Sequence, residues 1–119
     1  METCVFCRIV SGEEPATIVF EDDKVLAFPP LVPVSRGHTL VIPKTHHESL
    51  ADIDENGWRD LLDRARRLAK VLVREHGASG INLLHASGKD AQQSVLHCHV
   101  HLVPRYPHDG LDLWLRQKL

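Results

Sequence analysis

Three histidines alternate with apolar residues in the stretch 97–103, HCHVHLV. Successive side chains of a β-strand point to opposite faces, so His97, His99 and His101 would share one face and the apolar residues the other. A helix would scatter both sets around its circumference, so the alternation indicates a strand. A rise of about 3.3 Å per residue would place neighbouring imidazoles about 6.6 Å apart. The chain must therefore build a sheet that buries one side of this strand.

The other segments predict an α+β domain with about five antiparallel strands, one long helix and a short N-terminal helix. Apolar residues at helical spacing predict the long helix over 55–75, with Asp52 or Asp54 as its cap and Gly77 just after its end. Strand and breaker patterns place the remaining elements. They are a short helix at 4–10, a hairpin of 16–21 and 25–28, a proline-rich loop at 29–37, and strands at 38–42, 81–85 and 95–103, the last ended by Pro104.

Length and charge exclude several functions. A chain of 119 residues allows a single domain, 1–119. A net charge of -2 argues against a general nucleic-acid binder, which would be basic. Neither a membrane span nor a signal peptide is visible, so we expect a cytoplasmic protein without membrane contact.

Two chemistries suit the histidine row. Neutral imidazoles bind metal ions, so the row is a candidate metal site. Imidazoles also serve phosphoryl transfer, in which one is a covalent nucleophile and its neighbours donate to phosphate oxygens or protonate the leaving group. The chain lacks a phosphate-binding P-loop of the Walker type.

The stretch HCHVHLVPR resembles the signature of the histidine triad (HIT) superfamily, in which histidines alternate with apolar residues. Further segments are similar to that family in the same order: CVFCRIVSGEEPA, VFEDDKVLAF, RGHTLVIPKTH and AQQSVLHCHVHLVPRY. The nearest resemblance is to the small nucleotide-binding, phosphoramidase-like branch. It implies a HIT-like fold, a nucleotide or nucleotide conjugate as ligand, and a homodimer.

The resemblance assigns roles to individual residues. It implies that His99 is the nucleophile, that His101 orients and polarises the phosphate, and that His97 and His38 complete the set of catalytic histidines. Gln93 and Ser94 match positions that contact the phosphate or leaving group. Arg105 follows the triad and would add positive charge near an anionic ligand.

Cys4 and Cys7 have the spacing of a metal-binding knuckle. A disulfide is unfavourable in a reducing compartment, and a redox motif would need a βαβ pattern that the chain lacks. Structural zinc fits better but needs about two more ligands, and two small core residues remain the alternative. Some family members carry zinc on this pair, and their other ligands match His46 and His97. His47 is a lesser alternative to His46.

The sequence also departs from the family. Pro30 stands eight residues before His38, where the family has an aspartate that holds the ribose hydroxyls. Ala86 and Gln92 replace a usual asparagine and glycine. A proline has no carboxylate, so weaker recognition of ribose is expected.

The sequence therefore predicts a hydrolase or transferase acting at the α-phosphate of a nucleotide conjugate, either a phosphoramidate or a dinucleoside polyphosphate, through a nucleotidyl-histidine intermediate. One alternative is a module that binds a nucleotide or a partner with little turnover, because Pro30 replaces the ribose aspartate. A second alternative is a metalloenzyme that uses the triad as a catalytic metal site.

Cys98, on the opposite face, is expected to be a buried thiol. We expect His76, His85 and His108 to be surface or loop histidines.

Overall fold

A computed structural model describes residues 3–115 of the chain. The helices are α1 (Val5–Ser11) and α2 (Glu55–His76). The strands are β1 (Phe20–Glu21), β2 (Val25–Phe28), β3 (Thr39–Pro43), β4 (Gly80–His85) and β5 (Val100–Arg105), and a single 3₁₀ turn covers Lys89–Ala91. No helix within 3–115 is long and apolar enough to cross a membrane.

The strands form one antiparallel sheet in the order β1-β2-β3-β5-β4. The last strand of the chain is therefore inserted between β3 and β4, with Leu40 opposite His101 on one side and Leu84 opposite His101 on the other. This arrangement confirms the predicted α+β fold and places the strand that follows His97 and His99 in the interior of the sheet.

Helix α2 covers one face of the sheet because its apolar stripe matches the apolar face of β5. Leu61, Ala65 and Leu72 of α2 pack with Val100 and Leu102 in one buried cluster. The Asp54 side chain accepts from the Gly57 N–H at the start of the helix. Gly77 ends it in the left-handed conformation, at φ 65°. The predicted helix, its cap and its end are confirmed.

Helix α1 packs on the opposite face. Phe6 is buried in a second cluster with Leu26, Phe28, Leu40 and Ile42. The sheet is thus covered on both sides, by a long helix on one and a short helix on the other. The short helix is the wall beside which the histidines stand.

The predicted strand 95–103 differs from the structure at both ends. Regular pairing begins at Val100 because the backbone N–H of Cys98 is donated to the carbonyl of His47, at 2.6 Å, and not to a neighbouring strand. Pro104 lies inside β5, and Arg105 is its last residue. Thr39 opposite Leu102 is the last pair with β3, so Pro104 sits where β5 has β4 on one side alone. A residue without an N–H is tolerated at such an edge position.

The first predicted hairpin strand is also shorter than expected. The sequence indicated 16–21, whereas β1 is Phe20–Glu21. The turn that follows is held by Asp22, whose carboxylate accepts from the N–H groups of Lys24 and Val25. The other oxygen of this carboxylate accepts a hydrogen bond from Arg64 Nε at 2.8 Å, which links the hairpin to α2.

Candidate functional site

The predicted alternation of the histidine segment is present in the structure. His97, His99 and His101 stand on the α1 side of the sheet, with the Phe6 ring 5.8 Å from that of His97 and 5.3 Å from that of His99. The rings of His99 and His101 are 5.2 Å apart. Cys98 packs with the α2 core on the other side. The alternation extends through the irregular residues before β5.

A backbone carbonyl fixes the proton on His99. The Nδ1 of His99 lies 2.7 Å from the carbonyl oxygen of His97. A carbonyl only accepts hydrogen bonds, so Nδ1 carries the hydrogen and Nε2 of the neutral ring keeps its lone pair. His99 is therefore prepared as a nucleophile or a ligand through Nε2.

A second chain of hydrogen bonds fixes the proton on His101. The Val34 N–H donates to His38 Nδ1 at 3.1 Å, so neutral His38 carries its hydrogen on Nε2. That Nε2 lies 3.0 Å from His101 Nδ1 and donates to it. Neutral His101 must then carry its own hydrogen on Nε2. The two triad residues are complementary, because His99 offers a lone pair and His101 offers a donor.

Burial keeps these rings neutral near pH 7. It lowers the pKa of His101 to about 4, with further lowering by His99, His38 and His85. Burial also lowers the pKa of His38 and of His99. The proton positions that follow from the hydrogen bonds are therefore those of the ordinary working state.

Cys4, Cys7 and His46 meet at the His97 end of the triad, and the ligand atoms of these three residues and of His97 all lie within 4.8 Å of one another. Cys7 Sγ is 3.2 Å from His46 Nδ1 and 3.5 Å from His97 Nδ1. His97 Nε2 donates to the Pro43 carbonyl at 2.8 Å, which leaves the lone pair of Nδ1 facing the thiols. Two thiols and two imidazoles are a donor set suited to tetrahedral zinc, so these residues fit the metal.

Local structure brings the two cysteines together. Cys4 caps α1, and its sulfur accepts from the Cys7 N–H at 3.3 Å. Burial and the neighbouring Cys4 raise the pKa of the Cys7 thiol to about 11. Metal binding would therefore have to displace a proton from Cys7.

A cleft of about 530 Å³ opens beside the triad. His99, His101 and Ser94 form one part of its lining, and Pro30 also faces it. The rest is mostly apolar and comes from α1, the end of β2 and the loop after it; it includes Phe6, Ile9, Phe28, Leu31 and Leu40. The cleft thus has a large apolar part and a polar end, which is lined by His99 with its Nε2 lone pair and His101 with its Nε2–H.

Ala86 and Gln92 line a separate cavity of about 270 Å³, which reaches His38 and His101 from another side. Gln92 has a left-handed backbone, with φ 71°. Glycine adopts this conformation more easily than a residue with a side chain.

Two of the predicted binding residues have hydrogen-bond partners within the protein. The Gln93 amide donates to the carbonyls of Glu48 and Val95 and accepts from the Gly88 N–H, so it braces the loop before β5 and does not line the cleft. Arg105 donates to both carboxylate oxygens of Asp109, at 2.8 and 3.0 Å. Each side chain therefore has a structural role, and its predicted contact with a ligand stays a prediction.

His85 was missed by sequence reasoning. It ends β4 opposite Val100, is half-buried, and its Nδ1–H donates to the His99 carbonyl at 2.8 Å. Its Nε2 accepts from the Ser87 hydroxyl at 2.5 Å, and the same hydroxyl oxygen accepts from the Leu50 N–H. His85 therefore positions the backbone of His99. Its place at the end of a strand that pairs with β5 was the available signal.

The remaining histidines and Cys98 are away from the cleft. His47 is outside the metal cluster and faces α2 in a separate cavity, with Asp54 and Asp60. His76 is half-buried against the turn at Gly37, and His108 is exposed. Cys98 is fully buried, as expected.

The fold and the site define a class of small α+β proteins in which a row of histidines, in and just before an interior strand, shares one member with a Cys₂His₂ cluster. The sequence matches the HIT domain over residues 11–108. The chain belongs to the HIT domain family, as the sequence resemblance predicted.

Several relatives are similar to this protein over almost the whole chain. A HIT-like protein of Borreliella burgdorferi is 40% identical over 100% of this chain and 87% of its own length. Adenylylsulfatase HINT3 of Arabidopsis thaliana is 34% identical over 98% of this chain and 58% of its own. The crystal structure of a zinc-bound histidine triad family protein from Mycobacterium smegmatis has a TM-score of 0.89 and 41% identity, over 94% of this chain and 81% of that one.

Proposed function

We propose that this protein is a hydrolase or transferase acting at the α-phosphate of a nucleotide conjugate, through a nucleotidyl-histidine intermediate on His99. The observation that carries the proposal is the paired tautomers of His99 and His101 at the polar end of one cleft. The plant relative named as an adenylylsulfatase supports chemistry at an adenylyl group.

In the first step the lone pair of His99 Nε2 attacks the α-phosphorus. The bond from phosphorus to the leaving group breaks, and its electron pair departs with that group, which takes up a proton from solvent. The His99 ring becomes a nucleotidyl-imidazolium, whose remaining Nδ1–H stays on the His97 carbonyl. That carbonyl stabilises the positive charge that the ring acquires.

His101 acts as a hydrogen-bond donor to the phosphate. Both members of the His38–His101 pair are neutral and hold one hydrogen each, so His101 polarises a phosphate oxygen through Nε2–H without giving that hydrogen away. The Ser94 hydroxyl lines the same cleft and would hydrogen-bond the phosphate or the leaving group.

In the second step water attacks the phosphorus. The bond between phosphorus and Nε2 breaks, its electron pair returns to the ring, and the water proton passes to solvent. The products are a nucleoside monophosphate and the regenerated enzyme. An acceptor other than water would make the same intermediate a transferase.

Zinc held by Cys4, Cys7, His46 and His97 would have a structural role. These residues would let such a metal tie α1 to the residues before β5, and it would take part in neither chemical step because His97 Nδ1 faces the thiols. This assignment differs from a metalloenzyme in which the triad itself holds a catalytic metal. One ring nitrogen of His99 is engaged by the His97 carbonyl, and one of His101 is engaged by His38, which argues against that alternative.

A homodimer is also proposed. Strand β4 forms one of the two edges of the sheet, and Leu83 on it is 47% exposed. Beside it α2 contributes Ala69 and Val73 to a shallow apolar groove. An apolar edge strand of this kind is suited to pairing with a second copy of the chain.

Turnover of a fluorogenic adenosine phosphoramidate is the decisive measurement. We expect release of the fluorophore by the wild-type protein. Binding of AMP without turnover would favour the alternative of a nucleotide-binding module, which the presence of Pro30 in the cleft makes a real competitor. Loss of activity at the moment zinc is removed, ahead of any unfolding, would favour the metalloenzyme.

A further inference from the structure

The cleft holds a carboxylate that the mechanism above does not use. Among the described residues that line it, Glu14 is the one acidic side chain. It shares the lining with Pro30, which offers no carboxylate. A carboxylate in a cleft that receives a phosphate is repelled by the ligand's charge unless hydrogen-bond donors of the ligand reach it.

Helix α1 fixes where Glu14 stands. The helix ends at Gly12, whose backbone has a positive φ of 85° and turns the chain back. The Glu14 N–H then donates to the Arg8 carbonyl at 3.1 Å. The same helix supplies Phe6 and Ile9 to the cleft, so the carboxylate and this part of the apolar wall come from adjoining segments of the chain. Arg8 Nε lies 3.8 Å from a carboxylate oxygen of Glu14.

We propose that Glu14 accepts hydrogen bonds from the sugar hydroxyls of the ligand and makes this protein select ribose. An ionised carboxylate is an acceptor only, and its two oxygens match the two donors of a vicinal diol. This inference rests on the proposed function and revises the weaker ribose recognition expected from Pro30. The acidic acceptor comes from the end of α1, on the same cleft but from another segment of the chain.

Glu13 provides a matched control. It is the neighbouring residue, carries the same charge, is exposed, and does not line the cleft. Alanine at either position changes the net charge of the protein equally. A general electrostatic effect on a phosphate ligand would therefore appear in both variants, whereas recognition of hydroxyls would change in one.

The test is calorimetry with AMP and with 2′,3′-dideoxyadenosine monophosphate, on wild type, Glu14→Ala and Glu13→Ala. A hydrogen bond to a charged acceptor predicts that the wild type binds AMP roughly tenfold more tightly than the dideoxy analogue. Glu14→Ala should bring that ratio close to one, and Glu13→Ala should keep the wild-type ratio. The ratio of kcat/KM for the corresponding phosphoramidates should change in parallel.

A wild-type ratio of one, an unchanged ratio in Glu14→Ala, or an equal loss in both variants would overturn the role of Glu14. If those results came with wild-type turnover of the phosphoramidate, the proposed chemistry would stand and the sugar assignment alone would fall. If the wild-type protein neither bound AMP nor turned over the phosphoramidate, both proposals would fail together.

Discussion

At the scale of single residues, the proposed chemistry depends on which nitrogen of each histidine carries a hydrogen. Backbone groups decide this, since the His97 carbonyl and the Val34 N–H set the tautomers of His99 and His38. Side chains of the same chemical type thus acquire opposite roles. Substitutions that keep the rings of His99 and His38 but break their hydrogen bonds to the backbone should lower catalysis as strongly as removal of a ring.

His99→Ala should lower turnover of an adenosine phosphoramidate by roughly a thousandfold or more, because the covalent step requires the ring. AMP binding and the melting temperature should change little, since the neighbouring contacts to Phe6 and His101 are peripheral to the α2 core. Mass spectrometry of quenched wild-type enzyme should find a nucleotidyl adduct on His99. The exposed His108→Ala is the control, and near-native turnover by His99→Ala would reject the covalent mechanism.

Acid should destabilise the protein through its buried imidazoles. The pKa of His101 is about 4 in the folded protein, and an imidazole in the unfolded chain titrates near 6.5. Between these values the unfolded state binds more protons, so the free energy of unfolding is at its full value above about pH 6.5 and falls as the pH decreases towards 4. His38, whose pKa is also lowered by burial, acts in the same direction.

Urea unfolding at pH 7.5 and pH 5 measures this effect. His101→Gln should reduce the loss of stability between the two pH values, whereas His108→Gln should leave it unchanged. Identical pH dependence in wild type and His101→Gln would show that His101 does not titrate as its burial implies.

At the scale of elements, α1 depends on contacts outside its own seven residues. It is too short to be stable alone, and the cysteine cluster and Phe6 attach it to the sheet. Cys7→Ser should therefore lower bound zinc and the melting temperature, with the amides of α1 exchanging first. Cys98→Ala, which removes a thiol outside the cluster, should keep the metal. Wild-type protein purified without chelators and found free of zinc would contradict the assignment.

The loop before β5 offers a second prediction at this scale. Gln92 has φ 71°, a conformation that glycine adopts more easily, so Gln92→Gly should raise the free energy of unfolding by about 0.5–1 kcal/mol. Gln93→Gly is the contrasting variant, since it removes three hydrogen bonds that brace the loop and should lower stability. Urea unfolding of both variants measures the difference, and destabilisation by Gln92→Gly would contradict the conformational argument.

Local patterns predicted the elements better than the contacts between them. Helix α2 begins and ends within a residue of the prediction because its periodicity and caps are written in consecutive residues. The predicted start of β5 was wrong because it depends on a backbone hydrogen bond from Cys98 to His47, in a distant segment. For the same reason the sequence indicated that the triad histidines share one face and that Cys4 and Cys7 lie close together. It did not indicate the hydrogen-bond partners of Gln93 and Arg105 or the presence of Glu14 in the cleft.

At the scale of the whole molecule, the edge strand β4 is suited to pairing with a second copy of the chain. Sedimentation should show a dimer, and Leu83→Glu should shift it towards the monomer because it places a charge on the apolar edge strand β4. Leu50→Glu, at another exposed leucine outside this groove, is the control. A wild-type monomer at micromolar concentration would contradict the proposal, as would a Leu83→Glu dimer of unchanged affinity.

The span of the cysteine cluster has a consequence for how the protein is made. Cys4 and His97 are 93 residues apart in sequence, so the first ligand leaves the ribosome long before the last is translated. During that interval the thiols of a nascent chain are without their full set of partners. The segment that completes the cluster is the same segment that carries His99 and His101. Translation therefore delivers the last member of the cluster and the histidines of the proposed mechanism together, and a prematurely terminated chain would hold neither the complete cluster nor the complete triad.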